Sequence, residues 1–313
     1  MPNEPPPQLN LIPQAPEGFK SGFVAIIGRP NVGKSTLMNY LVGQKIAITS
    51  PVSQTTRNRL RGILTTSEAQ IIFVDTPGIH KPHHQLGKVL VKNAQVAINS
   101  VDLILFLVDS SVEAGGGDRF IFELLEKTKT PVVLGLNKTD LQSDNIQLLD
   151  DSYSQLITEK DIPLVKFSAL TGTGLKELQK LLVDYLEPGP YYYPPDLVTD
   201  QPERFIMGEL IREQILLLTR QEVPHSVAIV IEKVEEQPQL TRVFAIINVE
   251  RSSQKGILIG KQGTMLKQIG SAARQQIQKL ITGKVYLELF VKVQPKWRQS
   301  RMRLTEFGYR VEE

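Results

Sequence analysis

Residues 28–35 read Gly-Arg-Pro-Asn-Val-Gly-Lys-Ser, set between an apolar run at 23–27 and a helical pattern over 35–42. Strand, glycine-rich loop and helix in that order bring backbone N–H groups and the positive end of a helix dipole to one point, which suits an anion. Gly28 and Gly33 permit the close approach and positive φ that wrapping a phosphate requires. Asn31 and Val32 complete the cradle, Lys34 is placed to reach β- and γ-phosphate oxygens, and the Ser35 hydroxyl is a ligand for Mg2+, with Thr36 just beyond. A chain built this way is steered toward an α/β arrangement whose ligand lies past the strand ends.

The following residues fit that frame. Short runs rich in Val, Ile and Leu at 71–74, 103–108, 132–136 and 164–167 are apolar on both faces, as expected of parallel strands covered on each side. Helical patterns at 86–99, 119–127, 146–158 and 175–186 separate them. A doubly wound, mostly parallel α/β domain is therefore expected over 20–186. Three further motifs fall at strand ends. In Asp75-Thr-Pro-Gly78, Asp75 can hold Mg2+ through water and the Gly78 N–H can meet a γ-phosphate. In Asn137-Lys-Thr-Asp140, the Asp140 carboxylate can accept from N1–H and the 2-amino group of guanine, which adenine lacks, while the Lys138 stem covers the ring. In Ser168-Ala-Leu170, the Ala169 N–H is the donor expected at guanine O6. Each motif alone is also a turn or a cap; their order implies GTP and Mg2+. The polar stretch 49–61 contains Thr55 and Thr56, one of which would complete the Mg2+ shell; Thr56 is favoured, and Thr55 stays open.

Charge divides the chain again. The net is +3 overall, yet residues 251–313 hold 13 Lys and Arg against 4 Asp and Glu, leaving 23 against 29 in residues 1–250. A basic C-terminal region on an otherwise acidic chain points to a polyanion. The absence of cysteine excludes disulfides, thiolate metal sites and cysteine nucleophiles. Residues 1–19, with six prolines, read as a disordered leader. Glu187-Pro-Gly-Pro-Tyr-Tyr-Tyr-Pro-Pro195 cannot continue a helix, and 187–203 reads as a linker. Beyond it come an amphipathic helix at 204–219, alternating strands at 226–234 and 242–249, a segment 256–259 leading through Gly260-Lys-Gln-Gly263 into a helix at 264–282, a strand at 285–293 and a basic helix at 297–307. An α-β-β-α-α-β order is that of an α+β K-homology domain of the second topological type, expected over 204–313. Gly260 and Gly263 would let the backbone approach an RNA strand, Lys261 and Gln262 lie between them, and Lys267 and Arg274 follow on the helix. Trp297 is expected in the core with Arg298, Arg301 and Arg303 solvated, contact with RNA or an anionic membrane being the alternative. His80, His83 and His84 read as surface residues rather than a zinc site.

Together these motifs, with Thr55-Thr56-Arg57, Asp75-Thr-Pro-Gly-Ile-His80, the segment Gly260 to Gly270 and the Trp297-Arg298 region, closely resemble the Era family of GTPases over about residues 20–310. The resemblance implies a Ras-like domain joined to a K-homology domain, binding of single-stranded RNA near the 3′ end of small-subunit (16S) ribosomal RNA, and a role in 30S assembly. It implies GTP hydrolysis using Lys34, Thr56, Gly78 and Asn31. Ile79 stands where Ras places a water-orienting glutamine, so a slow intrinsic rate is expected. Asn31 matches an asparagine that helps hold potassium near the phosphates; that it only stabilises the loop is the even alternative. A monomeric, cytoplasmic protein is expected, peripheral association with the inner face of an anionic membrane being left open. Two other readings are a membrane-associated signalling GTPase and an RNA-binding protein with a nearly inactive nucleotide site.

Overall fold

In the computed structural model, residues 12–50, 60–76, 78, 85–142, 145–157, 162–220 and 223–309 are described. Thr55, Thr56, Ile79, His80, His83, His84 and residues 1–11 of the leader lie outside this set.

The first unit runs Lys20–Ile27 (β1), Lys34–Val42 (α1), Leu60–Thr65 (β2), Ala69–Asp75 (β3), Gln85–Asn99 (α2), Leu103–Asp109 (β4), Gly116–Leu125 (α3), Val132–Asn137 (β5), Ile146–Leu156 (α4), Leu164–Lys166 (β6) and Leu175–Tyr185 (α5). Its sheet has the order β2-β3-β1-β4-β5-β6, with only the β2–β3 pairing antiparallel. Alternate side chains of each strand face opposite ways. Val24 and Ile26 therefore join the core under α1 and α5, while Ala25 and Ile27 join the opposite one, under α2, α3 and α4. Both faces are covered, which is why the strands read as unbroken apolar runs. β2 was not expected. Its short sequence, Leu-Arg-Gly-Ile-Leu-Thr, mixes polar residues into an edge strand, and Gly62 is needed because a Cβ there would meet Met38 Sδ at 2.9 Å.

The second unit runs Glu203–Leu218 (α6), Ala228–Gln237 (β7), Leu240–Val249 (β8), Ser252–Ile259 (α7), Thr264–Ile277 (α8), Lys284–Val293 (β9) and Arg301–Glu306 (α9). The sheet order is β7-β8-β9, antiparallel then parallel, with α6, α7 and α8 packed on one face. The expected α-β-β-α-α-β order is present. The basic helix expected over 297–307 is instead a 3-10 turn at Trp297–Gln299 followed by α9. Ser300 breaks it, because its side chain accepts from the Arg303 N–H and caps a new helix start.

The connecting segment is strapped to the first sheet rather than hanging free. Tyr191 packs on Phe19 and Tyr192 on Phe23, with ring centroids 4.4 and 5.1 Å apart. Gln70 accepts from the Tyr192 and Tyr193 N–H groups and donates to the Tyr193 carbonyl. Ile63 N–H donates to Val198 O at 2.9 Å, and Arg61 pairs with Asp200 at 2.6 Å. The strap thus covers the open edge of β2, which would otherwise present unpaired backbone groups.

Candidate functional site

At the carboxyl end of β1 the chain turns through the 28–35 loop. Gly28 is required there: a Cβ would meet Leu107 O at 2.3 Å. Gly33 takes φ 103°, and a Cβ on it would meet Asn137 Nδ2 at 2.3 Å. Asn31 is itself left-handed at φ 66°. Lys34 is buried, and its ammonium donates to the carbonyls of Gly28 (3.1 Å) and Arg29 (2.8 Å). Burial lowers its pKa to about 8, against the opposing pull of Asp75. A phosphate would supply the counter-charge that this buried cation needs. Ser35 Oγ donates to Asp75 Oδ2 at 2.8 Å, and the Asp75 side chain is fully buried. A hydroxyl and a carboxylate meeting beside a phosphate cradle are hard oxygen ligands of the kind Mg2+ takes along with phosphate oxygens and water, so these residues fit that ion.

The base-side residues are tied to the same loop by Asn137. Its Nδ2 donates to Val32 O and its Oδ1 accepts from the Ala169 N–H, both at 2.8 Å. Ser168 Oγ donates to Asp140 Oδ1, orienting the carboxylate expected to read guanine. Lys138, at φ 69°, pairs with Asp109 at 2.5 Å. Burial pushes the Asp109 carboxyl up, but the Lys138 ammonium and the Ser111 hydroxyl and N–H together hold it below the ordinary range. Leu170 itself is 73% exposed.

A cavity of about 690 Å³ opens over the loop. Asn31, Gly33, Lys34, Ser35, Thr36, Gly78 and Lys138 of the predicted set line it, whereas Gly28, Val32, Asp75, Asn137, Asp140, Ser168, Ala169 and Leu170 do not; Asn137 ties Val32 to Ala169, and Ser168 holds Asp140. Its far wall comes from the second unit: Glu213, Gln214 and Leu217 of α6 and Gln276 of α8. Sequence reading missed these four, together with Lys45 and Thr49. A signal was present in α6, where Arg212-Glu213-Gln214 places three polar residues in succession inside an apolar helix. All three are buried, as are most of their neighbours from Ile206 to Leu216. A helix buried nearly all round is enclosed on both sides.

The second glycine loop lies at the other end of α8. Gly260 and Gly263 take φ 72° and 78°, and Gln262 between them takes 53°; a Cβ on Gly260 would meet Met265 Cβ at 2.8 Å. The loop opens onto a groove of about 580 Å³ between α8 and β9. Of the residues expected to meet RNA, Gly263, Lys267 and Arg274 line it while Gly260, Lys261 and Gln262 do not; Leu266 and Leu289 form its apolar floor, and Tyr286, half exposed, adds an aromatic that the sequence reading missed. Trp297 is fully buried, as expected; its Nε1 donates to Ser226 O at 2.9 Å, and Tyr309 stacks on it. Arg298 pairs with Glu250 rather than standing free.

A family model described as a 50S ribosome-binding GTPase matches residues 23–138, and a KH domain model matches residues 222–298. GTPase Era of Rippkaea orientalis is 78% identical over 304 residues, covering 97% of each chain. This chain belongs to the Era family of GTPases. Its fold is that of a single-substitution variant of Aquifex aeolicus Era bound to GDP.AlF4-, with a TM-score of 0.89 and 40% identity over 93% of this chain and 99% of that one. A structure of Era in complex with MgGDPNP and nucleotides 1506–1542 of 16S ribosomal RNA matches equally, at 0.89, 40%, 93% and 99%. The Era-family activity is GTP hydrolysis, and the Era structure crystallised with 16S nucleotides holds MgGDPNP. No helix among the described residues is long and apolar enough to cross a membrane.

Proposed function

We propose that this chain is a GTP-driven switch that binds the 3′ end of 16S ribosomal RNA and acts in assembly of the 30S subunit. Residues 20–186 hold the nucleotide, 187–203 connect, 204–313 hold the RNA, and 1–19 form a leader. The observation that carries the reading is the course of α8. Its 14 residues begin at the Gly260–Gly263 loop, run beside the groove, and bring Gln276, in the last turn, into the wall of the nucleotide cavity. One rigid element about 20 Å long thus faces both ligands.

In this reading Gly28, Asn31, Val32, Gly33 and Thr36 cradle the phosphates and the Lys34 ammonium pairs with β- and γ-oxygens. Asp140, Ser168, Ala169 and the backbone at Leu170 select guanine, with Lys138 against its face. Ser35, Asp75 and Thr56 hold Mg2+, which when bound neutralises charge developing on the transferred phosphate. The Gly78 N–H would meet the γ-phosphate, and Asn31 would help to hold K+, which would supply positive charge there. Gly260, Lys261, Gln262, Gly263, Lys267 and Arg274 bind RNA, with Tyr286 available to stack on a base. An Era-family structure crystallised with 16S ribosomal RNA nucleotides supports the choice of RNA.

Single-turnover GTP hydrolysis, followed in potassium and in sodium with and without a 3′-terminal 16S oligonucleotide, tests the proposal. RNA is expected to accelerate turnover, and Gly263→Asp to abolish that acceleration. A rate indifferent to RNA that is demonstrably bound would remove the switch.

A further inference from the structure

Among the described residues, the wall that the second unit lends to the nucleotide cavity carries an ion pair to the first unit at Glu213. Glu213 lies in the middle of α6 and is 2% exposed, an unusual place for a carboxylate. Besides a long contact from the Gln214 amide of its own helix at 3.4 Å, it takes its partners from the first unit. One oxygen accepts from the Lys45 ammonium at 2.6 Å; the other accepts from the Thr49 N–H at 2.9 Å, with the Thr49 hydroxyl at 3.5 Å. Both partners belong to the segment after α1, and Ile48 between them is buried in the core of the second unit.

That segment is hung on α1 by one side chain. Asn39 donates from Nδ2 to Ala47 O at 2.7 Å and accepts from the Ile46 and Ala47 N–H groups at 3.0 and 2.8 Å. The first residues of α1 are Lys34 and Ser35, which line the cavity where the proposed function puts the phosphates. A continuous set of contacts thus leads from the phosphate cradle through α1, Asn39 and the Lys45–Thr49 segment to Glu213. From there α6 packs on α8, which carries the RNA loop. Each step is a hydrogen bond, an ion pair or a packed helix, and Glu213 supplies the charged link between the units.

We infer that Glu213 is the coupling residue between the two sites: the nucleotide state alters RNA affinity through the Glu213–Lys45/Thr49 clamp. The inference rests on the proposed reading of the chain as a GTP-dependent RNA binder. It adds which residues transmit the state. A buried carboxylate with an ammonium partner has a geometry that an amide cannot copy. Glu213→Gln keeps the volume and one acceptor for Thr49, but turns an NH2 group toward the Lys45 ammonium, or else toward the Thr49 N–H. The clamp breaks with little change in packing.

Coupling is a ratio of affinities and is measured as one. The full chain is titrated with a labelled oligonucleotide carrying the 3′ end of 16S ribosomal RNA, once saturated with GDP and Mg2+ and once with a non-hydrolysable GTP analogue and Mg2+. The wild-type ratio of dissociation constants is expected to differ from one by at least about fivefold. Glu213→Gln is expected to bring it within about twofold of one, and Lys45→Glu to do the same. The double reversal Lys45→Glu with Glu213→Lys re-forms the ion pair and is expected to restore most of the ratio. Should Glu213→Gln fail to fold, Lys45→Met changes the partly exposed partner and carries the same expectation. A wild-type ratio retained in Glu213→Gln or Lys45→Met overturns the inference while leaving the GTP-dependent RNA binder intact. A wild-type ratio of one, with both nucleotides bound, overturns the two together.

Discussion

Replacing Asn137 by alanine removes two hydrogen bonds at once and leaves their partners in the core. Val32 and Ala169 are 1% and 2% exposed, so neither the Val32 carbonyl nor the Ala169 N–H gains water in exchange. Each orphaned group costs about 1–3 kcal/mol, and a loss of about 2–4 kcal/mol is expected for the pair after partial relaxation. At about 2–4 °C per kcal/mol for a domain of this size, Tm should fall by about 4–16 °C in the nucleotide-free protein. The phosphate loop and the 168–170 loop would then be ordered only at the expense of binding energy, and about 2 kcal/mol diverted this way weakens GDP about 30-fold. Differential scanning calorimetry and fluorescent-GDP titration measure the two effects. Asn137→Asp separates the bonds. It keeps an acceptor for Ala169 but sets a carboxylate oxygen against the Val32 carbonyl, so at pH 7 it should be at least as damaging as alanine. If Asn137→Ala melts within about 1 °C of wild type and binds GDP within about threefold, the staple does not hold the two loops and the argument fails.

Three further outcomes are expected. Asp109 has a depressed pKa because Lys138 and Ser111 outweigh its burial, so it adds stability above the unfolded carboxyl pKa that is lost as pH falls through the folded one; the Tm gap between wild type and Asp109→Asn should be widest near pH 7 and close toward pH 3. Gly263→Asp meets no atom within 4 Å and faces only the left-handed backbone penalty, about 1 kcal/mol; melting should move little, while RNA affinity by anisotropy should fall at least about tenfold from the added charge in the groove. Trp297→Phe removes the indole donor to the Ser226 carbonyl and leaves a void beneath Tyr309 and Phe307, for a loss of about 2–4 kcal/mol in denaturant unfolding.

What the sequence disclosed and what it hid divide by distance along the chain. The phosphate loop, Asp75-Thr-Pro-Gly78 and Asn137-Lys-Thr-Asp140 are contiguous, because each is one turn at one strand end, and the structure gathers them as their order predicts. Strand existence was legible wherever both faces are covered. β2 was not, since an edge strand carrying Arg61 and Gly62 has no clear period. The strap over it is equally hidden: Gln70 and Tyr193 are 123 residues apart, and no local pattern announces that pairing. The same holds for Lys45 and Glu213, separated by 168 residues. Buried polarity within 212–214 was visible as an oddity of α6, but composition alone does not say which partner satisfies it. The break at Ser300 was readable in principle, a serine three residues before an amide it caps.

The burial of Ile48 and Leu86 has a consequence for how the molecule is made. Ile48 sits in a core built from α6, β8, α8 and β9, and Leu86, near the start of α2, packs with Trp297, Leu304, Phe307 and Tyr309. Synthesis proceeds from the N-terminus, and early portions of a chain fold before later ones exist. The first sheet can therefore close around its own two faces while these two apolar side chains still lack their covering. Ile48 waits for the strands and helices as far as Val291, and Leu86 for Tyr309, the last aromatic of the described chain. Residue 86 is covered only once the 297–309 segment seats on α2, so a copy lacking that segment shows an apolar side chain that the full fold withdraws.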